Sequence, residues 1–178
     1  MRIIDLSQPL YPDMPVYPGD PAVGMPVVHT MESHGWVLRE LTMGSHTGTH
    51  VDAFAHMVED GAALDDIPLE RFCGKAIAIG PEDDIPDRSG VILVEGEVDA
   101  ALAARLKRAG SDFIAIGEKA ELSEDMQRQL LADGILTFTD LVNTDALPRG
   151  QEFLFIGLPL KIRNGDGSPI RAVALLDY

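Results

Sequence analysis

Val91-Ile92-Leu93-Val94, Phe113-Ile114-Ala115-Ile116 and Ile135-Leu136-Thr137-Phe138 are three short apolar runs, and what lies between them decides the fold class. Residues 98–108 carry Val98, Leu102 and Leu106 at helical spacing, an apolar stripe along an otherwise polar segment. Residues 121–133 repeat the pattern, with Ser123 where a helix would open and Met126 and Leu130 on one side. Strand, helix, strand, helix, strand implies parallel strands joined by right-handed crossovers, because a helix must carry the chain back before the next parallel strand begins. The class is therefore α/β.

Working outward, residues 74–80, 153–158 and 170–176 read as further apolar strands, which add antiparallel hairpins and make the sheet mixed. Residues 81–90 form an acidic, proline-containing loop, and 63–72 hold short helical character around Leu69-Glu70-Arg71-Phe72. Residues 23–43 supply two strand-like runs about a polar turn, Glu32-Ser33-His34-Gly35. The second run, 36–43, alternates well enough to be a half-buried strand delivering the chain to position 46. Trp36 would then be a hydrophobic anchor or part of a pocket. Near the N-terminus, prolines at 9, 12, 15, 18 and 21 keep a spacing of three, which suits extended, polyproline-like chain. Tyr11 and Tyr17 alternate with them, so the arm reads as either a rigid surface segment or a pocket wall. The 178 residues, without repeat or linker, fit a single domain, 1–178.

Composition narrows the function. A net charge of −15 argues against nucleic acid, whose phosphates need a basic face, and against anionic membrane surfaces. Hydrophobic residues make up 46% and aromatics only 6%, so the core is aliphatic. The lone cysteine, Cys73, cannot form an internal disulfide, and no signal segment or bilayer-length apolar run is present, so a cytoplasmic protein is expected. With no histidine beside it, Cys73 reads as a buried structural thiol.

The chemistry concentrates in His46-Thr47-Gly48-Thr49-His50-Val51-Asp52-Ala53-Phe54-Ala55-His56, which packs three of the five histidines and an aspartate into eleven residues. Positions 46, 50, 52 and 56 share parity, so an extended segment would aim all four side chains to one face. A continuous helix would not, and Gly48 is a poor helix-interior residue. A strand or tight loop through Asp52 is expected, turning into a short helix that keeps His56 one turn beyond. His46, His50 and Asp52 form an open set for a catalytic divalent metal, and His56 is left for proton transfer. The other two, His29 and His34, read as ordinary surface or core histidines.

With Ser45 before it and Met57 after it, this motif resembles the His-x-Gly-Thr-His-x-Asp-x-Pro-x-His signature of the cyclase-like metal-dependent hydrolases, the family of bacterial kynurenine formamidase and isatin hydrolase. Ile4-Asp5-Leu6-Ser7-Gln8-Pro9-Leu10 and Met14-Pro15-Val16-Tyr17-Pro18-Gly19-Asp20-Pro21 are similar to the family's opening. Leu158-Pro159-Leu160-Lys161 and Gly167-Ser168-Pro169-Ile170-Arg171-Ala172-Val173 are similar to its ending. The resemblance implies a swivelling β/β/α domain and hydrolysis of a formamide or cyclic amide. It also implies one divalent metal, zinc or manganese, on His46, His50 and Asp52, with His56 as acid/base. A homodimer or homotetramer acting on a small molecule is implied; Tyr17, Trp36 and Phe54, with Lys119, are the candidate pocket residues.

Two departures stand out. Phe54 replaces the signature's proline, and no histidine follows His56, so a second metal site built on a histidine of the C-terminal half is excluded. Alignment puts Lys119 at that histidine and Thr139, beside Asp140, at the accompanying glutamate. The chain is then a one-metal hydrolase, or Lys119 supplies a fixed charge in place of the second ion. A non-catalytic metal- or small-molecule-binding relative, and a cyclase or lyase, are the alternatives.

Overall fold

Residues 1–177 are described by a computed structural model, in which nine strands form one mixed sheet. The strands are β1 (Arg2–Asp5), β4 (His50–Asp52), β5 (Cys73–Ile79), β6 (Gly90–Glu97), β7 (Phe113–Glu121), β8 (Leu136–Leu141), β9 (Glu152–Ile156), β10 (Gly167–Pro169) and β11 (Val173–Leu176). Across the sheet they run β1-β11-β9-β5-β6-β7-β8-β4-β10. The block from β5 to β8 is parallel, and every other neighbour is antiparallel. Helices α2 (Ala100–Ala109) and α3 (Glu124–Ala132) make the β6–β7 and β7–β8 crossovers, as the alternation of apolar runs and stripes required.

Caps fix both helices. Asp99 accepts from Leu102 N at 2.8 Å and Ser123 from Met126 N at 3.3 Å, each taking up a backbone N–H that the first turn leaves without a partner. Strand parity then divides the core. Ile77, Ile79, Val91, Leu93, Ile114 and Ile116 face α2 and α3, burying Leu102, Leu106 and Leu130. Ala78, Ile92, Phe113, Phe138, Phe153 and Phe155 point the other way, over Leu6, Val51 and Phe72. The Phe113, Phe138 and Phe155 rings pack with centroids 5.0–5.3 Å apart, so the few aromatics gather on this second face.

The structure corrects the expectation for residues 36–43. Only Leu38–Arg39 is strand (β3), and it pairs with β2 (Val27–His29) in a separate two-stranded hairpin. The one-turn helix α1 (Met31–His34), capped by Thr30 and closed by left-handed Gly35, joins the two. Among the described residues no second layer packs on this hairpin, so β3 is exposed on both faces and Trp36 is 57% exposed. His29 and His34 stack there at 4.3 Å, and Trp36 Nε1 donates to His29 Nδ1 at 2.8 Å. Cys73 opens β5 half-buried, with Sγ 3.7 Å from Leu69 O, rather than lying in the core. Among the described residues, no helix is long and apolar enough to cross a membrane.

Candidate metal-binding active site

The site grows from β4, which lies buried between β8 and β10. Register sets His50 opposite Thr139 and Asp52 opposite Thr137. Directly opposed residues share a face of the sheet, so both pairs touch. Thr137 Oγ1 donates to Asp52 Oδ2 at 2.7 Å, and Thr139 Oγ1 stands 2.9 Å from His50 Nε2. Period-two projection therefore accounts for His50 and Asp52 only. His46 sits in the preceding turn, folded back by Gly48 at φ +60°, where a Cβ would meet Leu10 Cδ2 at 2.9 Å. Its Nδ1 lies 2.8 Å from Asp52 Oδ1, which His50 Nε2 approaches at 3.4 Å. His56 ends a single 3-10 turn, Phe54–His56, and its ring centroid comes within 4.0 Å of that of His46.

His46, His50 and Asp52 offer ligand atoms within 4.8 Å of one another. Two imidazoles and a carboxylate at that separation fit a divalent ion of the zinc or manganese type. Burial of Asp52 would raise its pKa, but the hydrogen bonds to His46, His50 and Thr137 hold the carboxyl far below the ordinary range. Burial likewise opposes charge on His46, and the Asp52 and Asp166 carboxylates overcome it, so His46 is raised. At His56 burial wins, reinforced by the His46 charge, and its pKa is lowered. The two rings are thus pushed in opposite directions, His56 towards the neutral form and His46 towards the protonated one.

Besides Thr137, two contributors escaped the sequence reading. Asp166 Oδ2 lies 2.9 Å from His46 Nε2 and 3.9 Å from His56 Nδ1, and accepts from Ser45 Oγ at 3.2 Å. Gln127 of α3 donates from Nε2 to Asp52 Oδ2 at 2.8 Å. An aspartate between Gly165 and Gly167, next to a stretch already aligned with the family's ending, was the available signal for the first. Nothing in sequence marked the second.

A cavity of about 840 Å³ opens above these groups. The proline arm lines one side through Tyr11, Met14 and Tyr17, and Leu122, Glu124 and Gln127 line the other. Tyr17 OH donates to Glu124 Oε1 at 2.5 Å, tying the two walls together. Asp140 stands at the edge, its pKa raised first by burial and further by the Asp52 charge, against the opposing pull of His50. Of the four expected pocket residues, only Tyr17 is in the lining. Trp36 lies on the exposed hairpin, and Phe54 packs against the core with the Arg71 guanidinium 5.7 Å above its ring. Lys119 extends from the end of β7 to pair with Asp145. From the second half it is Thr137 and Gln127 that meet Asp52, and Lys119 does not reach it.

Comparison with known proteins agrees with this architecture. The Cyclase family pattern matches residues 4–133. A kynurenine formamidase of Salinibacter ruber is 31% identical over 209 aligned residues, covering 97% of each chain. Isatin hydrolase A of Labrenzia aggregata, solved with benzyl benzoate, superposes with a TM-score of 0.83 at 24% identity over 99% of this chain and 94% of its own. Isatin hydrolase A of Ralstonia solanacearum superposes at 0.80 with 21% identity, over 99% and 92%. With the family pattern spanning most of its length and a full-length relative above 30% identity, the chain belongs to the cyclase-like family of metal-dependent hydrolases.

Proposed function

We propose that the protein is a one-metal hydrolase of formamides or cyclic amides. The observation that carries this reading is the meeting of His46, His50 and Asp52 with His56 on the floor of one open cavity. The full-length likeness to a kynurenine formamidase supports the amide as substrate class.

In this reading His46, His50 and Asp52 hold zinc or manganese, which supplies Lewis acidity to the carbonyl and to water. His56, uncharged and beside His46, takes a proton from the attacking water. It then gives that proton to the nitrogen as the C–N bond breaks, leaving a carboxylate and an amine. Asp166 orients His46 through Nε2, and Tyr17 with Glu124 closes the wall over the substrate.

The chain acts as one domain, 1–178, in the cytoplasm and as a homo-oligomer. The β2–β3 hairpin supports the last point, because Val27, Val28, Met31, Trp36, Val37 and Leu38 are all exposed on an element with open edges, and a second copy would cover them. The deciding experiment measures metal per chain and screens N-formyl arylamines and cyclic amides with zinc or manganese. About one ion per chain with metal-dependent C–N cleavage is expected. No bound metal after reconstitution overturns the reading.

A further inference from the structure

The two carboxylate oxygens of Asp52 have separate surroundings. Oδ1 faces His46 Nδ1 and His50 Nε2. Oδ2 accepts from Thr137 Oγ1 at 2.7 Å and Gln127 Nε2 at 2.8 Å, and the carboxylate is fully buried. Gln127 reaches it because Leu130, three residues on, anchors α3 in the core, and the i, i+3 relation puts both on the inner face of the helix. A carboxylate can only accept, so the Gln127 amide must present its NH₂ group, whose nitrogen has no lone pair to offer an ion.

We propose that Gln127 and Thr137 are positioning residues that commit Asp52 Oδ2 to hydrogen bonding, so that the carboxylate gives one oxygen to one ion. This rests on the metal reading of His46, His50 and Asp52. In that arrangement Asp52 would serve one ion only: the second oxygen, through which an aspartate bridges to another metal, already faces two hydrogen-bond donors. A carboxylate held to one oxygen also leaves the ion a position that a chelating carboxylate would fill, and that position is open to water or substrate. Hydrogen bonds to a charged acceptor are the strong class, so two of them are enough to hold the orientation.

The test compares zinc affinity, by competition with a chromophoric chelator, in wild type, Gln127→Met, Thr137→Val and Thr137→Ser. Metal-free melting temperature and zinc per chain are recorded for each. Gln127→Met keeps length without a donor, and Thr137→Val keeps shape without the hydroxyl. Each is expected to weaken zinc binding by about 10–100-fold, the usual effect of losing a group that orients a ligand. Thr137→Ser, which retains the hydroxyl, is expected to bind as wild type does. The half-exposed Gln127 should change the melting temperature little. Wild-type affinity in both donor-less variants, or two ions per wild-type chain, overturns the proposal while leaving the metal reading intact. A wild type that binds no metal defeats the metal reading itself.

Discussion

Asp166 Oδ2 stands 2.9 Å from Nε2 of His46, on the side of the imidazole away from Asp52, so the ring is clamped between two carboxylates. A histidine that gives one nitrogen to a metal ordinarily donates its other N–H to such a partner, which fixes the tautomer and strengthens the ligand. Asp166→Ala is therefore expected to weaken zinc binding by about 10–100-fold. Asp166→Asn, whose amide oxygen still accepts, should lose less. Calorimetric titration of the three proteins decides, and equal affinities would remove Asp166 from the centre.

His50 and His56 should separate binding from turnover. His50 is nearly buried and addresses Asp52 Oδ1, so His50→Ala is expected to lose both metal and activity. His56 is not needed in the ligand set, and His56→Ala should keep its metal while turnover falls by about 10²–10⁴-fold. Elemental analysis beside an amide-cleavage assay reads both quantities. Full metal occupancy in the His50 variant would falsify the ligand assignment.

The pH profile carries a sign. Burial holds His56 below its ordinary 6.5, and in the metal-free chain a charged His46 adds to the effect. A group with a lowered pKa stays neutral down to a lower pH, so the base remains available until the pH falls through that depressed value. A divalent cation nearby acts in the same direction. kcat/KM should then be level near neutrality and lose about tenfold per unit on an acid limb below 6.5. Zinc content measured at each pH separates this limb from simple metal loss. An acid limb above 6.5 with zinc retained would contradict the assignment of His56.

The exposed hairpin predicts an assembly. Replacing Val28 and Trp36, which are 42% and 57% exposed, by Glu puts charge where a second copy is proposed to sit. Light scattering should show the wild type as a dimer or tetramer and the double variant as a smaller species. A monomeric wild type would leave the hairpin unexplained.

What could be read from sequence followed the range of each signal. Helices α2 and α3 announced themselves through their apolar stripes, and α3 also through Ser123, because caps and periodicity are local. His50 and Asp52 obeyed strand parity for the same reason. Asp166 is 120 residues from His46 and Gln127 is 75 from Asp52, so only the pairing of β4 with β8 and β10 brings them together. Lys119 was misplaced because β7 runs on to Glu121, which leaves that lysine on a solvent-facing strand end rather than in the segment over Asp52. Residues 36–43 misled because alternation marks a strand with one covered face, and here neither face is covered.

Gly167 supplies the last prediction. It sits opposite Asp52 on β10, and a Cβ there would stand 2.4 Å from His46 Cε1 and 2.8 Å from Nδ1. The glycine is needed for this close approach, since the imidazole lies directly against the strand. Neither side yields easily: β10 is held in register by β4, and Asp52 and Asp166 grip both ring nitrogens. The added methyl of Gly167→Ala must therefore push His46 out of its clamp. Overpacking of this kind costs about 1–3 kcal/mol, which a fall in melting temperature would register. Zinc per chain should fall with it, because the displaced ring no longer presents Nδ1 beside Asp52. Wild-type stability together with wild-type metal content would mean that the ring can shift without cost, and that its contact with β10 does not set the geometry of the site.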